Sequence, residues 1–355
     1  MSATATPEMW RRYFEWQVGI FLRDGSPLYA EILQRIQRDF AEGGVAASLL
    51  AGWEGDPLLD AVALRLLGAV HFRVLEGRLP KLAQHYPSAG GTPRLPAAAE
   101  AFLEALQAER SFIRPWLDRQ VQTNEVLRSA GLLGGFLQIA QEAGLPLRLL
   151  EIGASAGLNQ LFDQYRYALG PHHWGRPGSE PLLRTEWTGP PPALAAPVAV
   201  AERLACDLAP IDLTDPQARR RSEAFIWPDQ LHRRARFRAA ARRLASARLH
   251  IDRASALPWL ERQLAAPAPG RTSVLFHSVM WHYIPQPERE AIEALLARVG
   301  TAATVQAPLA WLRMEAEGED SCALRLRLWP GGEERLLARC GFHGQYVKWL
   351  AGPES

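Results

Sequence analysis

From the start of the chain to about residue 146, apolar positions recur at helical spacing and strand-like alternation is scarce. Trp10, Tyr13, Phe14 and Phe21 form one stripe, and behind Pro27 the residues Leu28, Ile32, Ile36 and Phe40 form a second, spaced by four. Asp56-Pro57 pairs a capping acid with a first-turn proline and predicts a helix running to about residue 75. The stretch 87–96, with Gly90-Gly91, reads as a loop. Further helices are expected over about 97–110 and 123–143, with Thr123 as a cap of the latter.

The pattern changes at residue 147. Leu147-Arg148-Leu149-Leu150-Glu151-Ile152 is a short apolar run that closes on an acid, and Gly153-Ala154-Ser155-Ala156-Gly157 follows. Leu158, Leu161, Phe162, Tyr165 and Leu169 then return at helical spacing, so the whole predicts strand, tight turn, helix. Seven prolines in 171–197 mark an irregular insertion, with room for one hairpin over 182–187 and 198 onward. Residues 198–207 read as a strand ending in Asp207, and 216–247 as an Arg-rich helical region broken at Trp227-Pro228. A strand at 249–252 ends in Asp252. It precedes a helix at 256–265, a strand at 272–277, a helix at 287–299 and a strand at 303–314. The tail, 323–349, reads as a closing hairpin.

Strands alternating with helices imply a parallel sheet. The expected fold class is therefore α/β, with an all-α region at 1–146 ahead of an α/β domain at 147–355.

Composition narrows the picture modestly. The 355 residues are 48% apolar and 22% charged, the profile of a globular chain with a sizeable core, and the net charge of +2 supplies no field for nucleic acid. The Arg cluster at 219–243 spreads around the helix axis and reads as a solvated surface, and nucleic acid is not an expected partner. Cys206, Cys322 and Cys340 form no Cys-x-x-Cys pair, so neither a disulfide framework nor a metal site is expected, and a reducing cytoplasm is the simplest home. The most apolar helical stretch, 58–75, carries Asp60, Arg65, His71 and Arg73, which argues against a membrane span. The N-terminus lacks the pattern of a signal peptide.

The candidate chemistry gathers at strand ends. Glycines let a backbone turn sharply and let a ligand approach closely, so Gly153 to Asn159 is a candidate ligand loop; an ordinary turn without ligand is the alternative. The dinucleotide fingerprint Gly-x-Gly-x-x-Gly fails at Ser155 and Leu158, which disfavours a nicotinamide cofactor. Asp207 is placed to accept two ribose hydroxyls or to cap a turn with Pro210. Phe276-His277-Ser278 ends a strand where the carboxyl ends of a sheet face a ligand crevice. His277 is a candidate general base, with Tyr283 in the same segment, or else a strand-end histidine satisfied by backbone. Gln122-Thr123-Asn124-Glu125 lies just before a helix leading to the first strand. Capping and the helix dipole account for Thr123 and Glu125 but leave Gln122 and Asn124 to line the substrate side; Asn124 and Glu125 are candidate catalytic residues.

Glu-x-Gly-x-x-x-Gly at 151–157 resembles the first motif of class I S-adenosylmethionine-dependent methyltransferases, with Ser155 in place of their usual middle glycine. That resemblance implies a Rossmann-like parallel sheet with a terminal antiparallel hairpin, and S-adenosylmethionine held by Glu151, Gly153, Ala154, Ser155, Gly157, Asn159, Asp207, Asp252, Phe276 and His277. It implies methyl transfer to a small molecule under a helical N-terminal cap. Asp252 would meet the adenine amino group, although Ile251 stands where such domains often carry glycine. The Asn/Asp-Pro-Pro-Tyr motif of amino-directed enzymes is missing, so a base nitrogen is not the expected acceptor.

More closely, the chain resembles an uncharacterised bacterial domain-of-unknown-function family with a helical N-terminal half. The residues that carry this are Gln122-Thr123-Asn124-Glu125-Val126, Glu151 to Asn159, Asp163-x-Tyr165-x-Tyr167 and Cys206-Asp207-Leu208-x-Pro210-x-Asp212. Trp227-Pro228-Asp229, Phe276-His277-Ser278, Ala338-Arg339-Cys340 and His343-Gly344 complete the set. A second expectation stays open beside methyl transfer: a methyltransferase-like domain that binds the cofactor, a nucleotide or a partner without turnover.

Overall fold

The computed structural model describes residues 4–122, 124–247, 249–318 and 321–352, so the cap expected at Thr123 lies outside the described residues. The chain divides into two compact units, Met1–Thr123 with Thr214–Ala235, and Asn124–Leu213 with Arg236–Ser355.

The first unit is helical. Its N-terminal helices are α1 (Pro7–Arg23), α2 (Pro27–Ala41), α3 (Val45–Leu50), α4 (Val62–Leu75), α5 (Pro80–Ala83), α6 (Leu95–Ala108) and α7 (Arg110–Trp116). Pro7 and Pro27 open α1 and α2 with φ already set for a helix, and the Thr6 hydroxyl accepts the Met9 N–H at 3.3 Å. The stripes read from sequence are the buried faces: Trp10, Tyr13, Phe14 and Phe21 from α1, and Leu28, Ile32 and Ile36 from α2. α4 starts later than Asp56-Pro57 suggested. The Asp56 carboxylate accepts the Leu58 N–H in a turn, and Ala61 stands at φ +52°, which no right-handed helix can pass through.

The second unit opens with α8 (Arg128–Ala143) and β1 (Leu147–Ile152), followed by a 3-10 helix at Leu158–Gln164. The helix expected through residue 169 is thus cut short. Leu161 leaves helical φ/ψ, and Arg166–Leu169 forms β2, followed by β3 (His172–Trp174) and β4 (Leu182–Thr188). β5 (Val200–Asp207) comes next. After it α9 (Pro216–Ala224) returns to the first unit, and α10 (Leu231–Ala247) belongs to the second from Arg236 onward. β6 (Ile251–Arg253), α11 (Ala256–Gln263), β7 (Thr272–Ser278), α12 (Gln286–Thr301) and β8 (Leu309–Ala316) alternate as predicted, and β9 (Cys322–Trp329), β10 (Glu334–Cys340) and β11 (Tyr346–Trp349) close the chain.

In the first unit, α9 brings the Ala224 carbonyl to His71 on α4. That carbonyl can only accept, so His71 Nδ1 carries the proton and Nε2 accepts the Ser88 hydroxyl at 2.8 Å. Burial pushes the imidazole down to about 4, and it stays neutral.

Among the described residues the strands form one sheet in the order β3-β2-β4-β11-β10-β9-β8-β7-β1-β5-β6. The block β6-β5-β1-β7-β8 is parallel throughout, whereas β8, β9, β10 and β11 pair antiparallel in succession. Two expectations are corrected. β4 does not pair with the segment after 198; it runs parallel to β2 and β11 and lengthens the sheet beyond the tail. The tail itself is a three-strand meander, not a single hairpin.

Side-chain parity assigns the two sheet faces. Leu150, Ile152, Leu275, Leu309 and Trp311 pack with Trp259 and Leu260 of α11 and with Ile292, Leu295 and Leu296 of α12. The opposite face takes α8, which approaches closely because Gly131, Gly134 and Gly135 lie against Met314, Trp349 and Leu312. Numbered among themselves, the five parallel strands stand in the order 3-2-1-4-5. The order reverses between β1 and β7, and that switch point is where doubly wound sheets place a ligand, outside the carboxyl ends.

Candidate functional site

The glycine loop leaves β1 at this switch point. Gly153, Ser155 and Gly157 have φ of +64°, +54° and +72°, all left-handed. Glycine adopts that conformation freely, whereas serine pays a steric penalty, so position 155 has the backbone of a glycine site. Glycine relieves a left-handed penalty of roughly 1–2 kcal/mol and costs roughly 0.5–1 kcal/mol in chain entropy, so replacing Ser155 with glycine is expected to stabilise the protein by up to about 1 kcal/mol. A lower urea midpoint for the variant would contradict this.

The loop's own amides are engaged. Ala154 N–H donates to Cys206 O at 3.1 Å, Ser155 N–H to Asp207 Oδ2 at 2.8 Å, Ala156 N–H to Asn124 Oδ1 at 3.1 Å and Gly157 N–H to Ala154 O at 2.7 Å. Asp207 also accepts the Ala209 N–H at 2.8 Å, so it ties β5 to the loop and caps its own turn. Asn159 accepts the Ser129 hydroxyl at 2.7 Å, which anchors the end of the loop to α8. A Cβ on Gly153 would meet Met280 Cε at 2.7 Å, and one on Gly157 would meet Leu249 Cδ2 at 2.5 Å. The two glycines thus face the protein's own side chains, and with these four amides engaged the loop's contribution to a ligand is its side chains, not a set of open N–H groups.

Glu151 is 3% exposed on the α8 side of the sheet, and its Oε2 has no hydrogen-bond partner. Burial, with the Asp207 charge adding to it, holds its carboxyl well above the usual range, while Gln160 partly offsets the shift. A carboxyl raised in the folded state contributes stability that is fully present below the unfolded value of about 4.5 and is lost as pH rises toward the folded value. Glu151→Gln is therefore expected to be more stable than the parent at pH 8, on the order of 1–3 kcal/mol, with the difference vanishing near pH 4. Urea unfolding at both pH values checks it, and a gap that widened on acidification would contradict the assignment.

His277 ends β7 on the opposite, α12 side of the sheet. It is fully buried and stacked on Trp281 at 4.9 Å. Trp311 Nε1–H donates to His277 Nε2 at 3.0 Å. An indole can only donate, so Nδ1 holds the imidazole proton and gives it to Glu315 Oε1 at 2.6 Å. Both ring nitrogens are thereby committed inside the protein. Glu315, at the end of β8, also accepts the backbone N–H groups of Met280 (3.1 Å) and Trp281 (3.2 Å). This clamp holds a segment in which Val279, a β-branched residue, stands at φ +51°. Such strain persists only where its surroundings impose it.

The other sequence candidates divide. Asn124 reaches the loop, and Glu125 is 6% exposed, accepting Leu127 N–H at 3.0 Å and the Arg236 guanidinium at 3.3 Å. Phe276 is core, edge-on to Phe136 of α8 at 5.1 Å. Asp252 accepts the Trp259 indole N–H at 2.7 Å. Tyr283 is 69% exposed on the 3-10 helix Trp281–Tyr283. The structure thus gathers Asn124, Glu151, Ser155, Asn159 and Asp207 around one loop, and sets His277 apart on the other face. Glu315, Met280 and Arg236 were missed from sequence. For Glu315 the available signal was an acid closing an apolar run, the same signal that marks Glu151, Asp207 and Asp252.

Among the described residues no helix is long and apolar enough to cross a membrane, and no group of three or more His, Cys, Asp or Glu could hold a metal ion. Residues 11–349 match the family described as "Uncharacterized protein conserved in bacteria (DUF2332)". No curated protein matches the chain, and no solved structure does.

Proposed function

The chain belongs to that bacterial family, and from this premise we propose that the protein binds S-adenosylmethionine at the glycine loop and transfers its methyl group to a small molecule. The observation that carries the reading is the left-handed backbone at Gly153, Ser155 and Gly157, placed at the switch point between β1 and β7. The strand order 3-2-1-4-5 agrees with a Rossmann-like sheet of the methyltransferase type.

The residues fit such a group. Glu151 Oε2 and Ser155 Oγ are buried without partners, and each Asp207 oxygen, holding one N–H, keeps a lone pair for a ribose hydroxyl. Glu151, Gly153, Ala154, Ser155, Gly157, Asn159 and Asp207 would hold the cofactor, which supplies an electrophilic methyl carbon. The chain's part is then positioning: the loop fixes one reactant and the segment after β7 borders the other. Asp252 and Phe276, turned to Trp259 and Phe136, stay outside this set.

One observation favours the second reading, a domain that binds the cofactor or a nucleotide without turnover. His277 is fully buried with both nitrogens engaged, so it has no lone pair to offer a hydroxyl or amine acceptor. Incubating the protein with S-adenosylmethionine and a bacterial small-molecule extract separates the two. Transfer produces S-adenosylhomocysteine and a product heavier by one methylene; binding that never yields S-adenosylhomocysteine supports the second reading.

A further inference from the structure

Three polar atoms in the loop or linked to it are buried without a hydrogen-bond partner: Ser155 Oγ, Asn124 Nδ2 and Arg236 Nε. A chain of contacts joins them. Ala156, next to Ser155, donates its N–H to Asn124 Oδ1, and Glu125, next to Asn124, accepts the Arg236 guanidinium at 3.3 Å. The three therefore lie along one connected patch of the second unit.

Their chemistry is one-sided. A carboxamide nitrogen and a guanidinium nitrogen only donate, and a hydroxyl donates as readily as it accepts. The two carboxylates bonded into the patch already hold N–H donors of their own, whereas Glu151 Oε2, on the strand before the loop, is unpartnered on a carboxyl that burial holds well above the usual range. Glu125 takes Leu127 N–H and Arg236, and Asp207 takes Ser155 N–H and Ala209 N–H. What is left over on Asn124, Ser155 and Arg236 is donor capacity, part of it on a cation. A buried donor left unmade is costly, and a guanidinium pairs more strongly with an ionised oxygen than with a neutral one. We propose that Asn124, Ser155 and Arg236 form a subsite for a carboxylate group, carried by a small acid bound beside the glycine loop.

The carboxylate has two chemical sources, the methionine end of the cofactor or a separate acidic substrate. The subsite's role in catalysis rests on the reading of the loop given above; its existence does not. Asn124→Asp is the informative variant, because it keeps Oδ1 for the Ala156 N–H and replaces the open donor with an acceptor. The first arm measures thermal unfolding of the whole chain against acetate, acetamide and chloride at matched ionic strength. Acetate is expected to raise the midpoint of the parent saturably, acetamide and chloride are not, and Asn124→Asp is expected to lose the rise. Because the variant could lose it by misfolding, the Arg236 Nε–H resonance of the parent is followed in the same titration and should shift with acetate. An equal rise with acetamide or chloride, an undiminished rise in the variant, or an unmoved Arg236 resonance would overturn the proposal.

The second arm titrates S-adenosylhomocysteine and 5′-methylthioadenosine, which lacks the amino acid end, into both proteins. A loss of about tenfold or more for the first ligand alone in Asn124→Asp assigns the subsite to the cofactor's carboxylate. Unchanged binding of both, with the acetate effect gone, assigns it to a separate acid. Should neither nucleoside bind the parent, the cofactor reading fails while the acetate arm still decides the subsite.

Discussion

Glu315→Ala is expected to destabilise the protein by roughly 3–5 kcal/mol, because three donors lose their acceptor at once. The His277 Nδ1–H is fully buried and has no other acceptor in place, since Nε2 is already held by Trp311. The Met280 and Trp281 N–H groups lose theirs together. Each unmade buried donor costs on the order of 1–3 kcal/mol, and relaxation of the segment recovers part of the sum. That relaxation has a direction: Val279 at φ +51° is expected to leave the left-handed region once the clamp is gone. Glu315→Gln keeps one acceptor oxygen and is expected to cost less than the alanine variant. Urea unfolding of the two variants measures the difference. An alanine variant within about 1 kcal/mol of the parent would mean that the His277–Glu315 clamp is not what holds the end of β7.

Gly153→Asp is expected to weaken S-adenosylmethionine binding at least ~100-fold, which corresponds to about 2.7 kcal/mol. Three effects act in the same direction. The backbone stands at φ +64°, which aspartate adopts only with strain. Its Cβ would lie 2.7 Å from Met280 Cε, so the methionine must move. The new carboxylate would stand beside Glu151 and Asp207, where burial and the Asp207 charge already hold the Glu151 carboxyl well above its usual range. Met280→Ala is the control: it removes the side chain that Gly153 faces and should leave binding intact. A Gly153→Asp variant that bound the cofactor like the parent would remove the loop from the site altogether.

Much of the second unit is legible in the amino-acid sequence. Strands closing on Glu151, Asp207, Asp252 and His277 appear as β1, β5, β6 and β7, because a buried parallel strand is a short apolar run with polar residues only at its ends. The helical first unit was read from stripes spaced by three and four, which burial alone dictates. Misreadings arose where a local pattern was overridden by distant partners. Tyr165 and Leu169 match a helix, yet the segment Arg166–Leu169 is drawn into pairing with β4 and β3, and the Tyr165 hydroxyl turns back to Leu158 O. The role of β4 depends on β11, which is more than 150 residues away in sequence, and no local signal announces it.

The site was legible to a lesser degree, and for a related reason. Spacing identified the glycine loop but could not say that its amides would be satisfied by Asn124, Cys206 and Asp207. Nor could it separate the faces of the sheet. Glu151 and Phe276 are register partners on β1 and β7, so His277, one residue further, necessarily points the other way. Glu315 becomes visible only when β8 is laid beside β7, which sets His277 opposite Arg313 and brings Glu315 within reach one turn of the pleat later.

Calorimetric titration of the purified protein with S-adenosylmethionine, S-adenosylhomocysteine and NAD in parallel decides whether the glycine loop is a cofactor site. Saturable binding of the first two and none of NAD is expected, because the loop lacks the dinucleotide fingerprint at Ser155 and Leu158. Binding of NAD alone, or of none of the three, would contradict it and leave the glycine loop to another ligand.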